Sequence, residues 1–157
     1  MVELRVPIVS LPAEVVDVDG RRTAGMVFVP AQASAHSGRT RPEEWINTPG
    51  DFFPFQPAGA PVAVILNKSQ VVALVVGAPP DAEESEEEEG LPRRRVSIEC
   101  SGLRFDGTLL MDVRESHRRV LDHLNRAERF LVLFDGDRRL LVRKDAITRL
   151  HEGQEGG

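Results

Sequence analysis

The sequence predicts a mainly β protein with short helices, built from two tandem five-stranded small β-barrels that an acidic linker joins. Short apolar stretches separated by glycine turns recur along the 157 residues, which is typical of small barrels. The order of these stretches repeats once, and an internal repeat defines the unit of the fold. Between the copies lies "DAEESEEEE", residues 81–89, with seven acidic residues and no basic residue. A segment of that charge density does not bury apolar surface.

The repeat is carried by residues of the same type at matching positions, and the spacing between them shrinks twice in predicted loops. Gly20 and Gly25 align with Gly102 and Gly107 at an offset of 82 residues. Asn47 and Phe52 align with Asn125 and Phe130 at an offset of 78, and Lys68 aligns with Lys144 at an offset of 76. We therefore expect both halves to share one strand order.

The first elements are strands. Residues 2–9 alternate apolar and polar side chains, which predicts an extra N-terminal strand without a counterpart in the second copy. Each repeat then begins with a short alternating strand that ends in a glycine turn. Its second strand is "MVFV" or "TLLM", entered through Gly25 or Gly107, where a bulge or tight bend is expected.

A short helix is predicted between strands two and three of each repeat. In the first repeat, Thr40 and Glu43 have the spacing of a capping box. In the second, Ser116 is placed to cap "HRRVLDHLN", whose apolar residues Val120, Leu121 and Leu124 share one face. Asn47 and Asn125 stand where each helix is expected to end in a left-handed residue.

Three further strands close each repeat. "FDGDRRLLV" places an Asp-Gly turn between two of them, and "NKSQ" or "RKDA" leaves room for one helical turn before the last. "VAVIL" and "VVALVV" are apolar on both faces, so each needs a cover beyond its own barrel. We expect the two repeats to pack against each other.

These elements predict four segments. Residues 1–76 form the first repeat, residues 77–95 a flexible linker, residues 96–151 the second repeat, and residues 152–157 a disordered tail.

The pattern D-x-L-N-x-x-x-x-F-L-x-L-x-D, Asp122 to Asp135, followed by K-D-x-I, Lys144 to Ile147, resembles an uncharacterised bacterial domain family of SH3-like or Sm-like small β-barrels. The match covers most of the second repeat and, more weakly, the first. The resemblance implies the barrel fold and supplies no activity.

The sequence contains no motif that predicts catalysis. The histidines lack metal-ligand spacing, no glycine-rich phosphate loop or nucleophile elbow is present, and Cys100 aligns with Val18 as a small buried hydrophobe. We expect a non-enzyme with no catalytic residue, no metal, no cofactor and no membrane contact. A lone cysteine and the lack of a signal peptide favour a cytoplasmic location.

The sequence therefore favours a non-catalytic adaptor or assembly module. It would bind another protein or a second copy of itself through barrel edges or the groove between the repeats. The alternative is an Sm-like RNA-binding regulator that uses the basic second repeat, although few aromatic residues are available to stack on bases. The candidate binding residues are Lys68, Lys144, Arg118, Arg119, Arg126 and Arg129. Each lysine has two interpretations: a stem over the barrel edge with its amine in water, or a point-charge contact for a ligand.

Overall fold

The computed structural model describes residues 7–31, 40–77, 92–111 and 120–153. The first half contains β1 (Ile8–Asp17), β2 (Arg22–Pro30), α1 (Pro42–Ile46), β3 (Phe52–Pro57), β4 (Val64–Asn67) and β5 (Val71–Gly77). The second half contains β6 (Arg93–Cys100), β7 (Leu103–Leu110), α2 (Val120–Leu124), β8 (Phe130–Asp135), β9 (Arg138–Arg143) and β10 (Arg149–Glu152). Single 3₁₀ turns, Lys68–Gln70 and Lys144–Ala146, precede β5 and β10, as the short polar gaps predict.

All ten strands form one antiparallel sheet in the order β10-β6-β7-β8-β9-β5-β1-β2-β3-β4. Each half contributes a block of five neighbouring strands, and both blocks have the same internal order, with the fifth strand beside the first. The mainly β class is therefore confirmed. The sheet is not closed, however, and two separate five-stranded barrels are not observed. The reason lies at β5, which pairs with β1 on one side and with β9 of the other half on its second side.

Two glycine pairs show that the halves are structurally equivalent. Gly20 and Gly102 both have positive φ, at 81° and 83°, which glycine adopts without steric cost. A side chain at Gly25 would meet the Gln56 carbonyl oxygen at 2.2 Å, and one at Gly107 would meet the Leu133 Cβ at 2.9 Å. At both positions the third strand of the repeat crosses the second closely, as the aligned glycines predict.

The core consists of two clusters that exchange residues between the halves. Val72 and Ala73 of β5 pack in the cluster that is otherwise mostly from the second half. Phe130 and Leu141 of the second half pack in the cluster built mainly from the first. The predicted packing between repeats is thus present at β5, which is buried on both faces. The same expectation is wrong for β4, where Val64 and Ile65 are exposed.

Several element boundaries differ from the sequence-based ones. β1 is a single strand from Ile8 to Asp17, so no separate strand ends at residue 9, and residues 2–6 lie outside the described residues. β6 begins at Arg93, three residues inside the predicted linker, because Arg93–Arg95 pair with residues of β7. Residues 78–91 of the linker and 154–157 of the tail also lie outside the described residues.

The helix caps also differ from the predicted ones. The N-cap of α1 is Arg41, whose backbone N–H donates to Glu44 Oε1 at 3.4 Å, because the residue before Pro42 is held in an extended conformation. Asn47 ends α1 with φ −88°, which is not left-handed. In α2, Leu121 is exposed while Val120 is buried, so the predicted apolar face is incomplete. Ser116 lies outside the described residues.

None of the helices formed by the described residues is long and apolar enough to cross a membrane.

We predict that Gly25→Ala lowers the free energy of unfolding by about 2 kcal/mol or more, because a Cβ there overlaps the backbone of β3. Gly77→Ala is the matched control, since nothing lies within 4 Å of its Cβ position, and we expect a change within about 0.5 kcal/mol. Urea unfolding followed by circular dichroism measures both. Equal stability of the two variants would contradict the close crossing of β2 and β3.

Candidate interaction site

The two halves meet along one strand pair. Ala73 to Gly77 of β5 pair in antiparallel register with Val142 to Arg138 of β9. Beside this ladder, Asn47 at the end of α1 bonds to the backbone of Phe130. Its side-chain amide donates to the Phe130 carbonyl at 3.1 Å, and its Oδ1 accepts from the Phe130 N–H at 2.7 Å. Asn47 therefore closes the first backbone groups of β8, a role that its position in the sequence did not reveal.

Charged pairs with acids on the first half and arginines on the second reinforce this contact. Nη1 of Arg139 donates to both carboxylate oxygens of Glu43, at 2.8 and 2.7 Å, with both side chains mostly buried. Arg129 bonds to Asp51 at 3.1 Å. Such partly buried pairs give orientation to an interface more than they add to its stability. These pairs set how the halves are oriented.

The contact uses different surfaces of the two repeats. We call the short helix, the asparagine after it and the fifth strand of a repeat its helix face, and the third and fourth strands its hairpin face. Inside the chain, the helix face of the first repeat binds the hairpin face of the second. The hairpin face of the first repeat and the helix face of the second do not pair with each other in the described sheet.

The hairpin face of the first repeat is apolar and exposed. Phe52 is 61% exposed and Ile65 is 67% exposed, whereas their counterparts in the second repeat, Phe130 and Leu141, are 2% and 0% exposed. The difference arises because β9 has a strand on its outer side and β4 has none. Phe52, Val62, Val64 and Ile65 together form an apolar edge. Apolar residues grouped on a sheet edge are typical of an interaction surface.

The helix face of the second repeat lies at the other end of the sheet. Its outer strand is β10, which pairs only with β6 in the described sheet. Leu121 of α2 is 63% exposed, and Asn125, the counterpart of Asn47, is exposed as well. Both free ends of the sheet therefore carry groups that are buried or bonded at the inner contact.

The two lysines occupy the same position in each repeat. Lys68 Nζ donates to the Thr48 carbonyl oxygen at 2.9 Å, and Lys144 Nζ donates to the Arg126 carbonyl oxygen at 3.2 Å. Each amine thus holds the chain just after the short helix. Lys68 is only 3% exposed, so an amine lying in water does not describe it. Burial lowers the pKa of both amines, and the Arg129 guanidinium lowers that of Lys68 further.

The candidate arginines do not form one basic face in the part of the chain that the structure describes. Arg118 and Arg119 lie outside that part. Arg129 is bonded to Asp51, as described above, and Arg138 to Asp135 at 2.8 Å. The Arg126 carbonyl receives the Lys144 amine. A phosphate-binding role for these residues stays a prediction.

The predicted groove between the repeats is a polar cleft of about 230 Å³. Its charges neutralise each other in pairs: Arg22 with Glu14 at 2.9 Å, Arg104 with Asp106 at 3.1 Å, and Arg138 with Asp135. Compensated pairs of this kind leave little net charge to attract an ionic ligand. The apolar edge is the stronger candidate for binding.

The described residues hold no cluster that indicates chemistry. No group of three or more His, Cys, Asp or Glu side chains within them is placed to hold a metal ion. Cys100 is fully buried, and burial raises the pKa of its thiol to about 11, which disfavours the nucleophilic thiolate. The predicted character of Cys100 as a buried small hydrophobe is confirmed.

Comparisons with known proteins assign no relative. No family model matches the chain, and no curated protein or solved structure matches it either. The resemblance of the second repeat to a bacterial small-barrel family therefore stays a prediction.

We predict that Asn47→Ala and Asn125→Ala differ sharply in stability, although they are equivalent positions. Asn47→Ala removes both bonds to the Phe130 backbone and should cost about 2 kcal/mol. Asn125→Ala, at an exposed position, should change stability by less than about 0.5 kcal/mol. Urea unfolding at low protein concentration measures both. A costly Asn125→Ala with a neutral Asn47→Ala would contradict the contact described here.

We predict a pH effect from Lys68. Its lowered pKa means that the unfolded chain binds more protons than the folded chain at pH values approaching 10.5, the ordinary value. The lysine's contribution to stability therefore rises with pH in that range. The difference in unfolding free energy between the wild type and Lys68→Met should grow from about pH 8 to 10.5. Taking this difference cancels the opposing effect of Cys100, and a flat difference would contradict the burial of the amine.

Proposed function

We propose that the protein is a non-catalytic interaction module, and that its binding surface is the apolar edge formed by Phe52, Val62, Val64 and Ile65. The observation that carries the proposal is the exposure of these side chains on an edge strand, at positions whose counterparts are buried by a neighbouring strand. The proposal takes each half as related to an SH3-like or Sm-like small barrel, and takes the location as cytoplasmic.

The edge suits an extended polypeptide. β4 pairs with β3 on one side, so its other side offers backbone N–H and C=O groups to an added strand. Main-chain hydrogen bonds would supply part of the affinity, and the exposed side chains of β4 would select apolar residues on the incoming strand. Such binding needs no cofactor and no reactive group.

The RNA-binding alternative has less support. A phosphate backbone is bound by a continuous basic surface, whereas Arg129, Arg138 and Arg139 each bond to a carboxylate. The pairs with Glu43 and Asp51 also use these arginines to join the two halves. We therefore propose protein binding as the function and keep retention of RNA as an outcome to be measured.

A selection from a random peptide library tests the proposal. We expect the wild-type protein to select peptides with alternating apolar residues, and Ile65→Lys to weaken their binding at least about tenfold, because a charge then lies in the apolar edge. Ile8→Lys is the matched control, since Ile8 is 64% exposed and Ile65 is 67% exposed. Fluorescence polarisation measures the dissociation constants.

Equal binding to the wild type and Ile65→Lys, or selection of no peptide at all, would overturn the proposed site. Salt-sensitive retention of RNA by the wild type, unaffected by Ile65→Lys, would favour the RNA-binding alternative instead.

A further inference from the structure

We infer that the partner at this edge is a second copy of the chain, which adds its β10 to β4 and so joins the copies head to tail. The inference rests on the proposed function, because it names the occupant of the same edge. It follows from the contact that already joins the two halves of one chain.

The inner contact is heterologous, since it joins a helix face to a hairpin face. A contact of this kind always leaves one unused copy of each face at the ends of the assembly. If the two repeats were related by a closed twofold axis, β10 would pair with β4 in the same chain. In the described sheet these strands are the two outer ones, so the rotation between the repeats does not close after two. The unused faces are therefore available to other copies.

The register of the new contact can be transferred from the inner one. Leu74 pairs with Leu141 and Val75 with Leu140 across β5 and β9. Subtracting 76 residues on the hairpin face and adding 76 on the helix face gives the equivalents, which are Leu150 with Ile65 and His151 with Val64. The internal register of the two hairpins supports the transfer, because Phe52 lies opposite Asn67 and Phe130 opposite Arg143, and the offset from Asn67 to Arg143 is again 76 residues.

The side chains at the free ends complement each other. The counterparts of the bonded pair Glu43 and Arg139 are Leu121 at an offset of 78 and Ala63 at an offset of 76. Both members of the ion pair have thus become apolar, and both are exposed in the single chain. A change of only one member would have left a charge against an apolar side chain, which is unfavourable.

Two further positions keep the polar part of the contact. Asn125 is retained where Asn47 bonds to the Phe130 backbone, and the counterpart of Phe130 is the exposed Phe52. Asn125 of one copy is therefore placed to bond to the Phe52 backbone of the next. Asp51 and Arg129 are themselves counterparts at an offset of 78, so the same Asp-Arg attraction recurs between copies. Asp51 has room for this, because its side chain is 74% exposed.

Disulfide trapping tests the inference with exposed positions that leave the fold intact. Val64→Cys and His151→Cys are prepared as separate full-length proteins, mixed under oxidising conditions and resolved on a non-reducing gel. Opposed residues on antiparallel strands have Cα atoms about 4.5 to 5.5 Å apart, within the range of a disulfide. We expect a linked dimer from the mixture and none from either variant alone. The natural Cys100 is buried and should not interfere.

The controls separate the possible results. Ile8→Cys, exposed but outside both faces, should not link to His151→Cys. Linkage of Val64→Cys to itself would indicate a symmetric edge-to-edge dimer and would overturn the head-to-tail contact. Light scattering provides a second measurement: the mass of the wild type should rise with concentration above that of one chain, and Asn125→Ala should lower it at equal concentration. A wild type that stays monomeric would also overturn the inference.

The inference and the proposed function fail differently. If the protein stays monomeric but Ile65→Lys still abolishes the binding of selected peptides, the edge binds another protein and only the self-assembly is wrong. If neither self-assembly nor peptide binding occurs, the proposed function is wrong as well.

Discussion

The structure depends on the pairing of β5 with β9. β5 is the last strand of the first repeat, yet it receives a strand from the second repeat on the side where a barrel would close on itself. Its two faces contribute to two different core clusters, with Val72 and Ala73 in one and Leu74 and Val76 in the other. Burial on both faces is the largest stabilising contribution a strand can make. Separating the halves would expose this surface, so neither repeat is expected to be stable alone.

Repetition combined with a heterologous contact explains why the surface is uneven. Equivalent residues have opposite environments according to whether a neighbouring repeat is present, as for Leu141, which is buried, and Ile65, which is exposed. A soluble monomer would gain from a polar residue at Ile65, and edge strands commonly carry charges that prevent unwanted pairing. Retention of apolar residues on β4 and of Asn125 beside α2 is instead what an interaction surface requires. The same physical contact thus accounts for the fold and for the proposed function.

The sequence was sufficient to predict the β class, the repeat and several turns, because these depend on local signals. Glycine positions, the Asp-Gly turn and the alternation of apolar residues report the conformation of short segments. The sequence was insufficient for the closure of the sheet, because the choice of partner for β5 depends on which surfaces meet in three dimensions. The apolar pattern of "VVALVV" indicated a second cover but did not identify β9 as its source.

The site was predicted less well for the same reason. Asn47 and Lys68 were correctly aligned with their counterparts, but their hydrogen-bond partners, the backbone of Phe130 and Thr48, lie far from them in the sequence. The exposed Phe52 and Ile65 read as ordinary core residues in one dimension. Only their buried counterparts in the second repeat identify them as unusual, and the alignment of the repeats contained that comparison.

Hydrogen-deuterium exchange of the whole protein, measured segment by segment at two protein concentrations, tests the central claim most directly. The account predicts that the amides of β5 and β9 exchange slowly at both concentrations, because each strand is internal to one sheet, while those of β4 and β10 become slow only at the higher concentration. Exchange of β5 as rapid as that of an edge strand would contradict the shared sheet on which the rest of the structure depends.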